Sequence, residues 1–581
     1  MTALAEPLRK APPHKARRGN RRPKLLAPRL QTLFALPAAL LTQRALRRML
    51  QPLYRSRLYG STLGKRSSGE LAAVPTDTWP VDPRAALAML EGEFRFGNDV
   101  LKNPKPLHNP LGATEMWRRQ MASFAWLDTL RALGSAQARQ FARHVVLAWF
   151  TDTATYDSLS WSADLLGARL RRCLMNSAFL ETNTDALFRA HLFRPLNRQA
   201  EHLARALPDG LNGAALLKAS IALMLAGVLL PHGDKWLRKG GKLLDRELHA
   251  QMLPDGGHVE RSPAVMLDLL QHLLDLHHVL TLTQRKLPDQ LIASIGNLAC
   301  ALKLVTHPDG GLALFNDSTE DESSAVIMTL MRAGATGAVE RDLVQLPQTG
   351  FHRMAAGRSV VISDAGAPPP HGFDGHAHAG TLSFEFSHGT ERMIVNCGAH
   401  PIAEEWRQVQ RATAAHSALV VDDINSSMLL PFGGLALTPR SVVVRREQTE
   451  AGQWLDARHN GYEEPFGLTH RRRLFLTADG FELIGEETLS GRGGKSFALR
   501  FHLHPAVQVS MTQSSHSALL KLPHGGGWRL RVQGGELSLA DSIYLGQSGT
   551  VRRTQQLVVQ GAIEDDTTQV KWALQKEGGK R

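Results

Sequence analysis

Residues 375–388 read Gly-His-Ala-His-Ala-Gly-Thr-Leu-Ser-Phe-Glu-Phe-Ser-His, and the second half of that stretch decides how the chain divides. Leu382, Phe384 and Phe386 alternate with Ser383, Glu385 and Ser387, the period of two expected of a strand with one buried face. Similar short runs rich in Val, Leu and Phe recur at 359–364 (SVVISD), 417–422 (SALVVD), 441–446 (SVVVRR), 472–477 (RRLFLT) and 496–504 (SFALRFHLH). Turn residues separate them, which predicts antiparallel sheets stacked as a sandwich over residues 346–581.

Upstream of the stretch the period changes. The segments 136–150 (AQARQFARHVVLAWF), 213–230 (GAALLKASIALMLAGVLL) and 264–282 (AVMLDLLQHLLDLHHVLTL) repeat apolar residues at helical spacing between Gly, Pro and Asp breaks. Residues 67–345 therefore read as an all-α domain of successive helical hairpins, and the fold class is α + β multidomain. A length of 581 residues fits this, since one hydrophobic core stops growing at roughly 250–300 residues. Helices followed by strands, without βαβ alternation, G-x-G-x-x-G or a P-loop, exclude nucleotide-binding α/β architectures.

The formal charge of +14 is not spread over the chain. Residues 1–66 hold sixteen Lys/Arg and one acid, Glu6, so everything after residue 66 sums to −1. The basicity belongs to an N-terminal arm, which reads as a solvated tail able to touch an anionic membrane surface; no nucleic-acid partner is expected of the body. Residues 30–41 (LQTLFALPAALL) are too short and too interrupted for a cleaved secretion signal. Three widely spaced cysteines, Cys173, Cys300 and Cys397, suit no disulfide framework and no CxxC metal site. They favour a cytoplasmic protein over a periplasmic one.

Three clusters carry chemistry. In the first, an extended chain would put His376 and His378 on one face, where two imidazoles bind a metal or one orients the other for acid–base work. In the second, Arg407 and Arg411 precede His416 at the entrance of the strand 418–422, a set suited to a carboxylate or sulfate. The third is Asp255-Gly256-Gly257-His258-Val259-Glu260-Arg261-Ser262-Pro263, a turn leading into a helix that starts at Ser262 with Pro263 in its first position.

Together these segments resemble the heparinase II/III-like family of polysaccharide lyases. The matches are residues 375–385, residues 411–422, residues 255–263 and the smaller Leu314-Phe315-Asn316-Asp317-Ser318. The resemblance implies an incomplete α/α toroid followed by an antiparallel β-sandwich. It also implies β-elimination of a uronate-containing acidic polysaccharide: the carboxylate is neutralised, the C5 proton removed and the C4 oxygen protonated as it leaves. His376 matches the catalytic histidine, and His378, Asn396 and His416 match positions that hold zinc in some members, so zinc is an optional cofactor.

The chain departs from the family at three points. Pro263-Ala264-Val265-Met266 lacks the Tyr that follows Ser-Pro, Ala214 and Ala215 stand at the carboxylate-neutralising Asn-His pair with Asn212 nearby, and Asn396 replaces Asp. An active site here requires His376 to work with His258 and Arg411, and Glu260, Arg261, Arg407 and Asn212 to bind substrate. The alternative is a relative with altered or no catalysis that still binds polysaccharide. Oligomeric state is not legible.

Overall fold

A computed structural model describes residues 38–63 and 70–578, apart from 401–403 and the single positions 98, 185, 322, 432, 525, 548 and 565. The basic stretch at 15–24 and most of the segment 30–41 lie outside the described residues. The helix Ala38–Arg55 begins inside that segment, at Ala38.

Helices run from Ala38 to Ala335, interrupted by one small hairpin, Glu93–Phe96 against Asp99–Lys102. The helix Gly213–Leu229 is the hub: it packs on Ala163–Met175, Asp234–Gln251 and Pro263–Leu282. Almost every residue along it is buried, which explains why its sequence is apolar all round instead of amphipathic. Gly227 allows the closest approach, because a Cβ there would meet the backbone of Leu237 at 2.5 Å. The predicted start at Ser262 is present: its hydroxyl accepts from Val265 N–H at 3.4 Å with Pro263 in the first turn.

From Gln345 onward the chain builds two antiparallel sheets. One orders the strands Glu536–Tyr544, Arg552–Ala562, Ser496–Leu503, Glu391–Val395, Phe384–His388, Ser359–Asp364, Phe351–Ala356 and Gln345–Leu346, with Leu419–Val421 also on Ser496–Leu503. The other orders Gln508–Met511, Ser517–Lys521, Gly527–Gln533, Asp566–Lys576, Glu482–Gly491, Leu468–Thr477, Gly452–Tyr462 and Val442–Thr449. Phe384, Phe386, Phe501, Trp528 and Trp572 fill the space between them. The alternating residue Glu385 is fully buried against the helical half. His307 Nε2 lies 3.0 Å from its Oε2, while Leu314 N–H donates at 3.1 Å and Asn396 N–H at 2.9 Å to its Oε1.

Candidate functional site

The loop 314–318 supplies the centre of the site. Asn316 and Asp317 adopt φ of +49° and +60°, a left-handed pair that short polar side chains tolerate. The turn aims both side chains across the boundary between the halves. The Asn316 side-chain amide donates to the Arg261 carbonyl at 2.7 Å, and its Oδ1 accepts from His378 N–H at 3.0 Å. Asp317 then receives both histidines of the opening motif: His376 Nδ1 lies 3.0 Å from Oδ2 and His378 Nε2 2.8 Å from Oδ1. Gln410 donates to Oδ1 at 3.2 Å.

The His376 side chain remains 44% exposed, while Asp317 beneath it is nearly enclosed. Burial opposes the charge on His376, but the hydrogen bond and charge of Asp317, helped by Glu260 at 3.8 Å from Nε2, prevail and raise its pKa. Burial alone would raise the Asp317 carboxyl, yet the hydrogen bond from His376 and the adjacent His378 ring hold it well below the usual carboxylate range. The result is a partly exposed imidazole held between two carboxylates, Asp317 at Nδ1 and Glu260 beyond Nε2. A raised pKa keeps the ring protonated to higher pH, so it offers a hydrogen-bond donor over a wider pH range and reaches the free-base form that takes a proton only above that range.

His378 continues inward. His416 Nδ1–H donates to the Ala412 carbonyl at 2.8 Å, which leaves Nε2 to accept from His378 Nδ1–H at 3.1 Å. Burial pushes His416 down to about 3 and lowers His378 as well. In a neutral His378 the proton sits on Nδ1, so its Nε2 accepts from Asp317 N–H at 3.0 Å. Asn396, the third expected metal ligand, spends its side-chain amide on Glu385 at 3.1 Å and its Oδ1 on Ser417 N–H at 2.9 Å. That donor set does not fit a zinc ion, and no group of three or more metal-ligating side chains is gathered among the described residues.

Several other expected roles also change. His258 is fully buried, its Nε2 3.0 Å from Gln251 Oε1 and its Nδ1 accepting from Glu260 N–H at 3.3 Å; burial takes it down to about 4. Both ring nitrogens are thus engaged within the protein, and His258 braces the turn. Arg411, also placed as catalytic, donates only to main-chain carbonyls: Ala377 at 2.9 Å, Leu430 at 3.3 Å and Gly434 at 2.6 Å. It positions the His376 loop from behind. Arg261, placed as a substrate ligand, is buried on Asp364 and the carbonyls of Thr349 and Ala367, with its guanidinium 5.5 Å from the Phe351 ring centroid. It ties the two halves together.

Asn212 likewise donates to the Gly372 carbonyl and bridges the halves instead of awaiting substrate. Glu260 caps the central helix through Ala214 N–H at 2.7 Å and turns its other oxygen toward His376. A side chain at Gly213 would collide with that carboxylate, and Gly213 has φ +58°. Arg407 is the expected residue that stays partly open, 37% exposed, donating to the Gly375 carbonyl at 2.9 Å and 3.9 Å from Asp317. Asp317 itself was overlooked as a functional residue: its segment was noticed, but nothing in a lone Asn-Asp pair marks it as the hinge of the site.

His376 and Asp317 open onto a cleft of about 1330 Å³ between the helical and β halves. Helix residues such as Lys218, Asp268 and Arg171 line one wall, and Gly546, Gln547 and Thr550 of the sandwich contribute to the other. None of the five tyrosines offers a hydroxyl there. Tyr54, Tyr59 and Tyr156 cluster around His202, Tyr462 donates to the Leu419 carbonyl, and Tyr544, fully buried, donates to Glu320.

Residues 107–337 match the model for the heparinase II/III N-terminus and residues 338–573 that for the heparinase II/III-like C-terminal region. FtsZ-localized protein C from Caulobacter vibrioides (strain NA1000 / CB15N) is 30% identical over 534 residues, covering 88% of this chain and 91% of that protein. Among solved structures, a heparinase III superposes with a TM-score of 0.71 at 15% identity, covering 96% of this chain and 94% of that one. A mutant heparan sulfate lyase from Pedobacter heparinus gives 0.58 at 15% identity, covering 93% and 89%. The likeness to these lyases establishes the toroid-and-sandwich architecture.

Proposed function

Because the chain belongs to the heparinase II/III-like family, we propose that it engages a polysaccharide in the cleft beside His376 without carrying out the β-elimination of uronates. The placement of the five tyrosines carries this reading. Elimination needs a group that takes the C5 proton, and the phenols are packed elsewhere, Tyr544 with its pKa driven well above the ordinary range by burial. His376, whose pKa Asp317 and Glu260 raise, is held in its protonated form to higher pH, which narrows the range in which it could take that proton. Ala214 and Ala215, at the positions where relatives neutralise the uronate carboxylate, offer no donor side chain. The cleft is thus treated as a lyase-shaped binding site.

The test is incubation of the purified protein with a panel of polysaccharides, following the ultraviolet absorbance of an unsaturated uronate and, in parallel, retardation in affinity electrophoresis. Retardation without an absorbance rise is expected. An absorbance rise that disappears in H376A would restore the eliminase reading.

A second reading concerns where the protein acts. A relative that matches nearly its whole length is named for localisation with FtsZ, and sixteen of the Lys/Arg fall in residues 1–66. We infer that the arm holds the chain at an anionic membrane surface near FtsZ, on the cytoplasmic side, consistent with three buried free thiols. Removing residues 1–37, which contain nine Lys/Arg and one acid, should abolish co-sedimentation with anionic vesicles; unchanged sedimentation would sink it.

A further inference from the structure

Among the described residues, the cleft is lined by eight carboxylates and five Lys/Arg, a formal balance of −3 before His376 is counted. The five cations are already committed. Arg171 pairs with Asp275, Arg172 with Asp128 at 2.9 Å, Lys218 with Asp268 at 2.6 Å, and the exposed Arg84 with Asp82. Arg131 donates to the Trp79 carbonyl at 2.7 Å and to the Thr78 hydroxyl at 2.9 Å. A groove built for a polyanion presents spare positive charge along its length, because phosphates, sulfates and carboxylates are held by cations that have no other partner. Here the arrangement is inverted. The chain beyond residue 66 sums to −1, so the negative charge of the body is concentrated in the cleft and the remainder carries a formal +2.

Resting on the reading that this cleft holds a polysaccharide, we infer that its ligand is an amino-sugar glycan, uncharged or carrying protonated amines, and not a uronate or sulfated chain. Carboxylates that line the groove accept hydrogen bonds from hydroxyl, amide and ammonium groups of hexosamines, while each acidic residue of a polyuronate would meet like charge. Asp77, 47% exposed and 3.4 Å from His278, and Asp82, on the same segment, put that charge on the outer lip of the cleft. Trp79 lies between them on the segment, an aromatic body at the groove wall whose indole N–H is fixed on Asp275 at 2.9 Å.

Calorimetric titration of the full chain with hexamers of β-linked glucosamine, N-acetylglucosamine and a uronic acid decides the matter, run at low and at high salt. The glucosamine-type hexamers should bind at least about tenfold more tightly than the uronate at low salt, and uronate binding should strengthen as salt screens the repulsion. Tighter uronate binding that weakens with salt would overturn the amino-sugar assignment while leaving the polysaccharide reading in place. Failure of all three hexamers to bind would overturn both. In the D77K/D82K variant, which alters exposed side chains at the lip, the preference should move toward the uronate by about tenfold; an unchanged ratio also counts against the assignment.

Discussion

Arg261→Ala separates a structural tie from a ligand contact. The wild-type guanidinium and the Asp364 carboxylate are both about 95% enclosed and bonded to each other, and the remaining guanidinium donors serve the carbonyls of Thr349, Ala367 and Gly366. Removing the arginine leaves Asp364 buried without its cation, a change that costs about 3–5 kcal/mol for a buried pair. Loss of donors to the carbonyls adds to this, so about 4 kcal/mol is a lower-middle expectation. At roughly 2–4 °C per kcal/mol for units of 150–250 residues, the transition that separates the halves should fall by about 8–16 °C in scanning calorimetry. Asp364→Asn placed on top of R261A removes the stranded charge and should recover at least about 1 kcal/mol. If R261A melted within about 2 °C of the parent while glycan affinity collapsed, Arg261 would be a substrate ligand and the present assignment would be wrong.

Other expectations follow from the same geometry. Asp317→Asn removes the carboxylate that raises His376, so the ring's titration, followed by NMR, should move down toward the ordinary histidine range; an unmoved titration would show that Asp317 does not set it. Because the folded pKa of His376 is raised, any contribution of its imidazolium to stability or glycan binding is complete at acid pH and is lost as pH rises through that raised value. Burial lifts Glu385 from 4.5 to about 7, so its cost to stability grows as pH rises from about 4.5 through 7. Glu385→Gln should remove that loss, on the order of 2–3 kcal/mol, and denaturant melts at pH 5 and pH 8 that shift equally for both proteins would refute it. Added zinc should leave the melting temperature unchanged, given how His378, His416 and Asn396 are bonded; a zinc-dependent rise abolished in H378A would reverse that reading.

How much of this was legible in advance depends on whether a property is carried by period or by partnership. The helices and strands were readable because burial imposes a repeat of 3.6 or 2 on the chain, and Leu382, Phe384 and Phe386 show that repeat without reference to anything distant. The roles of the charged residues were not. A sequence shows that Arg261 and Arg411 carry guanidinium groups, but whether those donors meet a ligand or main-chain carbonyls is decided by loops about 90 to 105 residues away in one case and 19 to 34 in the other. His258 was misplaced for the same reason: its neighbours in sequence look like a catalytic loop, and its neighbour in space, Gln251, makes it a brace. Asp317 shows the converse. Its left-handed turn brings one carboxylate to two histidines some 60 residues on, so the residue that organises the site is the one whose local sequence says least. The His-Ala-His run therefore reports the architecture faithfully, whereas the ligand class is read from the pairing of the charges that surround the cleft. Among the described residues, that pairing commits each Lys and Arg of the cleft walls to a partner, and His376 to Asp317.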